Sequence, residues 1–252
     1  GNSPDPFDLF DEYGTDAVRF GVMLMAPQGL DVLFSKERLE IGRNFMNKIW
    51  NASRFIQMNI QGKANLKFEI DYEKLELPER WILSRLTKMV EDYNDHLDRF
   101  RFNEAAKSLY DFTWNDFCDW YIEISKIRFS SGDANDVNIA RSIVLECLRS
   151  ILILLHPFSP FISEELWSFF KEEDSSDLIV FQWKKTGALR DISAESKMNI
   201  LKNIISDIRS VRSRMNVSPS KYSDLVIRCK KDDQTFIICL LYTSDAADEL
   251  LG

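Results

Sequence analysis

Apolar residues along this chain recur mostly at intervals of three and four, the period of an amphipathic helix rather than of a half-buried strand. Over 35–59, Leu39, Gly42, Phe45, Ile49, Ala52 and Ile56 form one stripe, with Ser35 placed to cap the helix and Gln61-Gly62-Lys63 to end it. Thr15-Asp16 predicts the start of a shorter helix running to about Met25. Pro78 suits the first turn of a third, with Trp81, Ile82, Leu86, Met89 and Val90 inward. Asn103 opens a fourth through Leu109, Phe112, Phe117 and Trp120 to about Ile127, and Ser130-Ser131-Gly132-Asp133 reads as a loop. Asp136 is the expected cap of a fifth helix ending at His156-Pro157, and Ser159-Pro160 starts a sixth through Ile162, Leu166 and Phe170. Long helices with short connections predict an antiparallel bundle.

The pattern changes after Lys171. Residues 172–177 are an acidic, serine-containing linker, and Ile179-Val180-Phe181 reads as a short strand. A helix follows over about 193–215, with Met198, Leu201, Ile205, Ile208 and Val211 on one side. Pro219 closes it, and 224–229 and 235–238 read as two strands. The expected fold class is therefore mainly α: an antiparallel helical bundle followed by a small α/β extension.

Composition agrees, with nine Gly and seven Pro in 252 residues and 45% hydrophobic residues. A net charge of −8 argues against a surface that coats nucleic acid everywhere, but leaves room for local basic faces. Cys118, Cys147, Cys229 and Cys239 are scattered without a CxxC pair, which makes a zinc site improbable and suits a reducing cytosol. The longest purely aliphatic run, 151–155, is too short to span a bilayer. The expectation is a cytoplasmic protein with no membrane partner.

The segment 35–59 carries the most suggestive chemistry. Lys36, Arg38, Arg43, Lys48 and Arg54 stand against only Glu37 and Glu40, with Asn44, Asn47 and Asn51 among them and Trp50 and Phe55 beside them. A single-stranded RNA loop is read by cations on phosphates, planar groups under splayed bases and amides on base edges, and all three are present here. Arg43, Asn47, Trp50, Asn51 and Arg54 lie three or four apart and share a face. Trp50 can equally be read as a core ring, and basic residues on a helix are often only solvated. A further basic cluster, Arg209, Arg212 and Arg214 with Lys221, is open to the same two readings. The aromatic-rich stretch 114–123 reads mostly as core. Asp119 and Glu123 are spaced like a carboxylate pair, but neither His96 nor His156 lies three residues after a Glu, as a bundle metal site would want. His156, before Pro157, is expected to bond backbone carbonyls at its helix end.

Five stretches, in order, resemble the valyl-tRNA synthetases of class I: Gly14-Thr15-Asp16-Ala17-Val18-Arg19-Phe20; Gly42-Arg43-Asn44-Phe45-Met46-Asn47-Lys48-Ile49-Trp50-Asn51-Ala52; Arg101-Phe102-Asn103-Glu104-Ala105-Ala106; Trp114-Asn115-Asp116-Phe117-Cys118-Asp119-Trp120-Tyr121-Ile122-Glu123; and His156-Pro157-Phe158-Ser159-Pro160-Phe161-Ile162-Ser163-Glu164-Glu165-Leu166-Trp167. The resemblance covers roughly 1–230. It implies the end of a catalytic core at 1–30, just after the family's lysine-rich signature loop, a helical anticodon-binding bundle at 31–171, and a linker with a small α/β extension at 172–238. Residues 239–252, including C-L-L-Y-T-S-D-A-A-D-E, resemble instead the translation of a sequencing-library adapter and are left out of the fold reading.

The resemblance further implies a partner, the anticodon stem-loop of valine tRNA, and the composition of 35–59 makes Arg38, Arg43, Asn44, Asn47, Lys48, Trp50, Asn51, Arg54 and Phe55 the residues expected to hold it. It implies no catalytic residue and no metal ligand within the chain, ATP and magnesium serving the intact ligase elsewhere, and a monomer. The rival expectations are an isoleucyl- or leucyl-type synthetase, a helical scaffold without RNA binding, and a bundle enzyme.

Overall fold

In the computed structural model, residues 4–25, 34–60, 70–183, 190–218 and 221 are described. The chain divides into two compact units, 1–190 and 191–252. The first contains helices α1 (Pro6–Tyr13), α2 (Thr15–Met25), α3 (Lys36–Asn59), α4 (Leu77–Asp98), α5 (Phe102–Asp111), α6 (Ile122–Ser130), α7 (Ala134–Leu155) and α8 (Pro160–Phe170). Phe112–Tyr121 joins α5 to α6 without a break, but its turns are wider, closed by bonds five residues apart. Among the described residues no helix is long and apolar enough to cross a membrane.

The core follows the predicted stripe. Leu39, Gly42, Phe45, Ile49, Ala52 and Ile56 of α3 are all buried, as are Trp81, Ile82, Leu86 and Met89 of α4, while Val90 is half-buried. Phe45 sits between Phe20 and Tyr110, with ring centroids 4.7 and 4.9 Å away. α7 is buried along most of its length from Ala140 to Leu155 and packs on α3, α4, α5, α6 and α8, which makes it the central helix of the unit. α2 and α3 pack closely. Gly21 and Gly42 face that contact, and a Cβ on Gly42 would lie 2.3 Å from the Ala17 carbonyl oxygen.

Two stretches far apart in sequence meet at the base of the bundle. Arg19 donates to the carbonyls of Phe158 (3.0 Å) and Pro157 (3.2 Å), and the Asp16 carboxylate accepts the Ile162 amide at 2.6 Å and the Phe161 amide at 3.4 Å. Asp16 thus satisfies the open amides at the start of α8, a helix whose own Ser159 makes no such bond. Burial pushes the Asp16 carboxyl up from its ordinary value, and those two amides pull it partly back.

Four local expectations need correction. Ser35 precedes α3 as foreseen, but its hydroxyl donates to Glu37 and caps no amide. α7 is capped by Asp133, which accepts the Asn135 amide at 2.8 Å; positive φ at Gly132 turns the chain early, and Asp136 is drawn instead into an ion pair with Arg128. His156 does not bond backbone carbonyls. The Leu154 carbonyl takes the Tyr93 hydroxyl and the Leu155 carbonyl takes the amides of Phe158 and Ser159, so the ring turns to Ser163, 2.9 Å from Nδ1. The stretch expected as a strand at 179–181 folds as a tight turn, Leu178–Val180. It pairs with no neighbouring strand among the described residues, so its amides bond back within the turn, leaving Ile179 and Val180 exposed. The short α1, for which the sequence offered no expectation, is capped by Asp5 with Pro6 in its first turn.

The second unit contains α9 (Ile192–Arg214), capped by Asp191 and ended by Asn216 at positive φ. Met198 is buried, Leu201, Ile205 and Ile208 are half-buried, and Val211 is exposed. The strands expected at 224–229 and 235–238 lie outside the described residues.

Candidate nucleic-acid interface

An α-helix advances about 100° and 1.5 Å per residue, so the buried stripe of α3 dictates which side chains point outward. Arg43, Asn44, Asn47, Trp50, Asn51 and Arg54 are all exposed, and Gln57 and Met58 continue the same side. Trp50, open between two readings in the sequence, is 39% exposed and stacks on no ring among the described residues. The amides of Asn44, Asn47 and Asn51 and the guanidinium of Arg54 have no side-chain partner among the described residues either. Arg43 lies over the Tyr13 ring, 5.4 Å from its centroid, which leaves its N–H edges free to donate.

Three of the nine residues named from sequence are not on this face. Arg38 is exposed but lies about 140° round the helix from Arg43, on the flank where its carbonyl meets Gly21 of α2. Lys48 lies about 140° round in the other sense. It is bound to Asp119 at 2.6 Å and sits over the Trp114 ring at 5.1 Å. Phe55 turns to the same flank, edge-on to Phe129 at 5.9 Å and under Lys126. These two are half-buried and already occupied.

The stretch 114–123, expected as core, is so in part: Asp116, Phe117, Cys118 and Tyr121 are buried, whereas Trp114 and Trp120 are half-buried. Asp119 and Glu123 do not act as a pair, since each takes its own lysine, Lys48 and Lys126. Burial pushes the Cys118 thiol up to about 12, which leaves it protonated and unreactive at neutral pH. In the second unit, Arg212 donates to the carbonyls of Ser218 and Lys221, so that basic cluster partly serves to close the end of α9.

Beside the exposed face lies a cleft of about 420 Å³ between the start of α2, the middle of α3 and the start of α8. Arg43, Asn47 and Trp50 line one side, Tyr13 the end, and Phe161 and Glu165 the other side. The sequence reading missed Tyr13, Phe161 and Glu165. The one sequence signal is that Phe161 and Glu165, four residues apart, share a side of α8 away from Leu166 and Trp167.

Among the described residues the first unit is thus a helical bundle whose α3 turns two arginines, three asparagine amides and an exposed Trp ring outward. The chain belongs to the family of anticodon-binding domains of tRNA ligases, whose pattern matches residues 79–227, from α4 onward. Valine–tRNA ligase of Fusobacterium nucleatum is 40% identical over 241 residues, covering 93% of this chain and 27% of the relative. Valine–tRNA ligase of Bacillus subtilis is 38% identical, covering 92% and 26%. The chain thus spans about a quarter of the length of the curated relatives it matches. Among solved structures, the fold resembles the agnB2 LeuRS of Agrobacterium radiobacter K84, solved as a ternary complex with tRNA and LeuAMS (TM-score 0.55, 21% identity, 74% of this chain and 22% of that one). It also resembles methionyl-tRNA synthetase of Mycobacterium tuberculosis (TM-score 0.56, 16% identity, 75% and 40%).

Proposed function

We propose that this chain is the anticodon-recognising part of a cytoplasmic valine–tRNA ligase, and that the outward face of α3 holds the anticodon loop of valine tRNA. In this reading the chain contributes recognition, as a single copy, to an enzyme that activates valine with ATP. The observation that carries it is the row Arg43, Asn47, Trp50, Asn51 and Arg54, exposed together over about 16 Å, in which the two amides, the Trp50 ring and the Arg54 guanidinium have no partner among the described residues. The names of the relatives and the family match over 79–227 support the tRNA-ligase part of this reading, while α3 itself lies outside the matched residues. Arg54 and Arg43 suit phosphates, Asn47 and Asn51 suit base edges, and Trp50 offers a stacking plane. Lys48 and Phe55 belong to the rim, since contact with RNA requires them to leave Asp119 and Phe129. Arg38 lies too far round to join a loop held on this face.

The test is binding of the chain to a valine tRNA transcript and to the same transcript with two anticodon bases changed, at low and moderate salt. The expected result is about tenfold or more tighter binding of the valine anticodon, persisting at moderate salt, because base contacts survive where phosphate contacts are screened. Equal, steeply salt-dependent binding of both transcripts contradicts it and leaves a scaffold with a solvated helix face.

A further inference from the structure

The cleft beside α3 has features that packing does not account for. Trp50, 39% exposed, and Phe161, 66% exposed, come from helices more than a hundred residues apart in sequence yet line one cavity, and neither ring is stacked on another among the described residues. Single exposed aromatics are ordinary on a protein surface, but two lining one concave site with polar groups between them are not. The Asn47 amide and the Glu165 carboxylate have no side-chain partner among the described residues. Asp16 also lines the cleft, but both its oxygens are taken by the amides that start α8.

The charges decide what the cleft suits. Arg43 and Glu165 face it with opposite signs and Asp16 adds a buried negative charge, so it is a poor phosphate site. A neutral, flat group with donors on its edge suits it better. A volume of about 420 Å³ accommodates one nucleobase with its ribose. An amide side chain pairs with adjacent donor and acceptor atoms on a base edge, and a carboxylate accepts from an exocyclic amino group.

We propose that this cleft receives one unstacked nucleobase bearing an exocyclic amino group, held between Trp50 and Phe161 and read by Asn47 and Glu165. The proposal rests on the RNA-binding reading above and deepens it, giving Asn47 and Trp50 of that row one base at the α2–α8 end of the α3 face, about 6–10 Å along the helix from Arg54. Adenine, cytosine and guanine offer the amino group; uracil presents a carbonyl in its place and leaves the Glu165 carboxylate facing an acceptor.

The experiment measures binding of the chain to oligoadenylate, oligocytidylate and oligouridylate hexamers and to the valine tRNA transcript, for the unaltered chain, Phe161→Ala and Glu165→Gln. Both substituted residues are exposed on α8, and circular dichroism with the urea midpoint confirms the fold of each variant. The expected result is about tenfold tighter binding of the adenylate or cytidylate hexamer than of the uridylate hexamer. Phe161→Ala lowers all affinities about tenfold, as loss of one base stack does. Glu165→Gln removes the discrimination against uridylate, because its amide can donate to the uracil carbonyl. Equal binding of all hexamers, or variants that bind as the unaltered chain does, overturns the proposal and leaves the cleft to a protein partner. If the anticodon-swapped transcript is still discriminated in that case, the α3 reading stands without the cleft; if no RNA is bound at all, both fall.

Discussion

Arg128 shows how much of the bundle hangs on one side chain. Its guanidinium, 12% exposed, binds both oxygens of the Glu79 carboxylate at 2.8 and 3.2 Å, reaches Glu76 at 3.1 Å, and also pairs with Asp136. Glu79 is 2% exposed and closes the first turn of α4 by accepting the Glu76 amide. One cation therefore ties α6 to the starts of α4 and α7. Arg128→Ala leaves the Glu79 carboxylate buried without its counter-charge and is expected to cost about 3 kcal/mol or more, read as a fall in the urea midpoint of unfolding. A change within about 0.5 kcal/mol, the range of an ordinary surface substitution, contradicts that role. This cluster was not legible in the sequence. Asp136 looked like a cap because an acid before an apolar run is the usual signal, while its partner lies eight residues upstream around a loop. His156 was misread in part for the same reason: the Leu154 carbonyl is taken by Tyr93, 61 residues away, and the Leu155 carbonyl by the amides of Phe158 and Ser159.

At the scale of elements, periodicity carried most of the information. α2, α3, α4, α7, α8 and α9 begin or end within a few residues of the places where caps, prolines and apolar stripes put them. Two features escaped. α1 spans only two turns, too short for a stripe to show, although Asp5-Pro6 is a good start signal in retrospect. The wide turns of Phe112–Tyr121 have no compositional signature, because one more residue per turn shifts the faces gradually. The contact between α2 and α3 gives the sharpest element-level expectation. Gly42→Ala places a methyl group 2.3 Å from the Ala17 carbonyl oxygen, against backbone that cannot turn aside as a side chain would. The substitution is expected to force the helices apart and cost about 1–3 kcal/mol despite the higher helix propensity of alanine. A stabilised protein would mean that α2 and α3 do not approach as closely as described. Because Asp16 and Arg19 of α2 hold the start of α8, the same substitution is also expected to distort the cleft and weaken any binding there.

For the molecule as a whole, a net charge of −8 leaves room for an RNA partner only at a locally basic face. Acidic side chains are tied into ion pairs through much of the bundle, as at Asp116 with Arg85 and Asp119 with Lys48, while Arg54 on the α3 face is left unpaired among the described residues. The outward face was legible in the sequence because helical spacing alone fixes which residues share a side. The cleft was not, because Tyr13, Trp50 and Phe161 are brought together only by the packing of α2, α3 and α8. The same packing explains why Phe55 and Lys48 are half-buried, since Phe55 meets Phe129 of α6 and Lys48 pairs with Asp119 of Phe112–Tyr121. The central claim, that the outward face of α3 meets the anticodon loop, is tested most directly by photo-crosslinking. Benzoylphenylalanine is placed at Asn51, on that face, and separately at Glu91, exposed on α4, and each protein is irradiated with bound valine tRNA. The account predicts that the Asn51 position crosslinks to nucleotides of the anticodon loop and the Glu91 position does not. Crosslinks from Asn51 to the acceptor stem, or none while the tRNA remains bound, would contradict it.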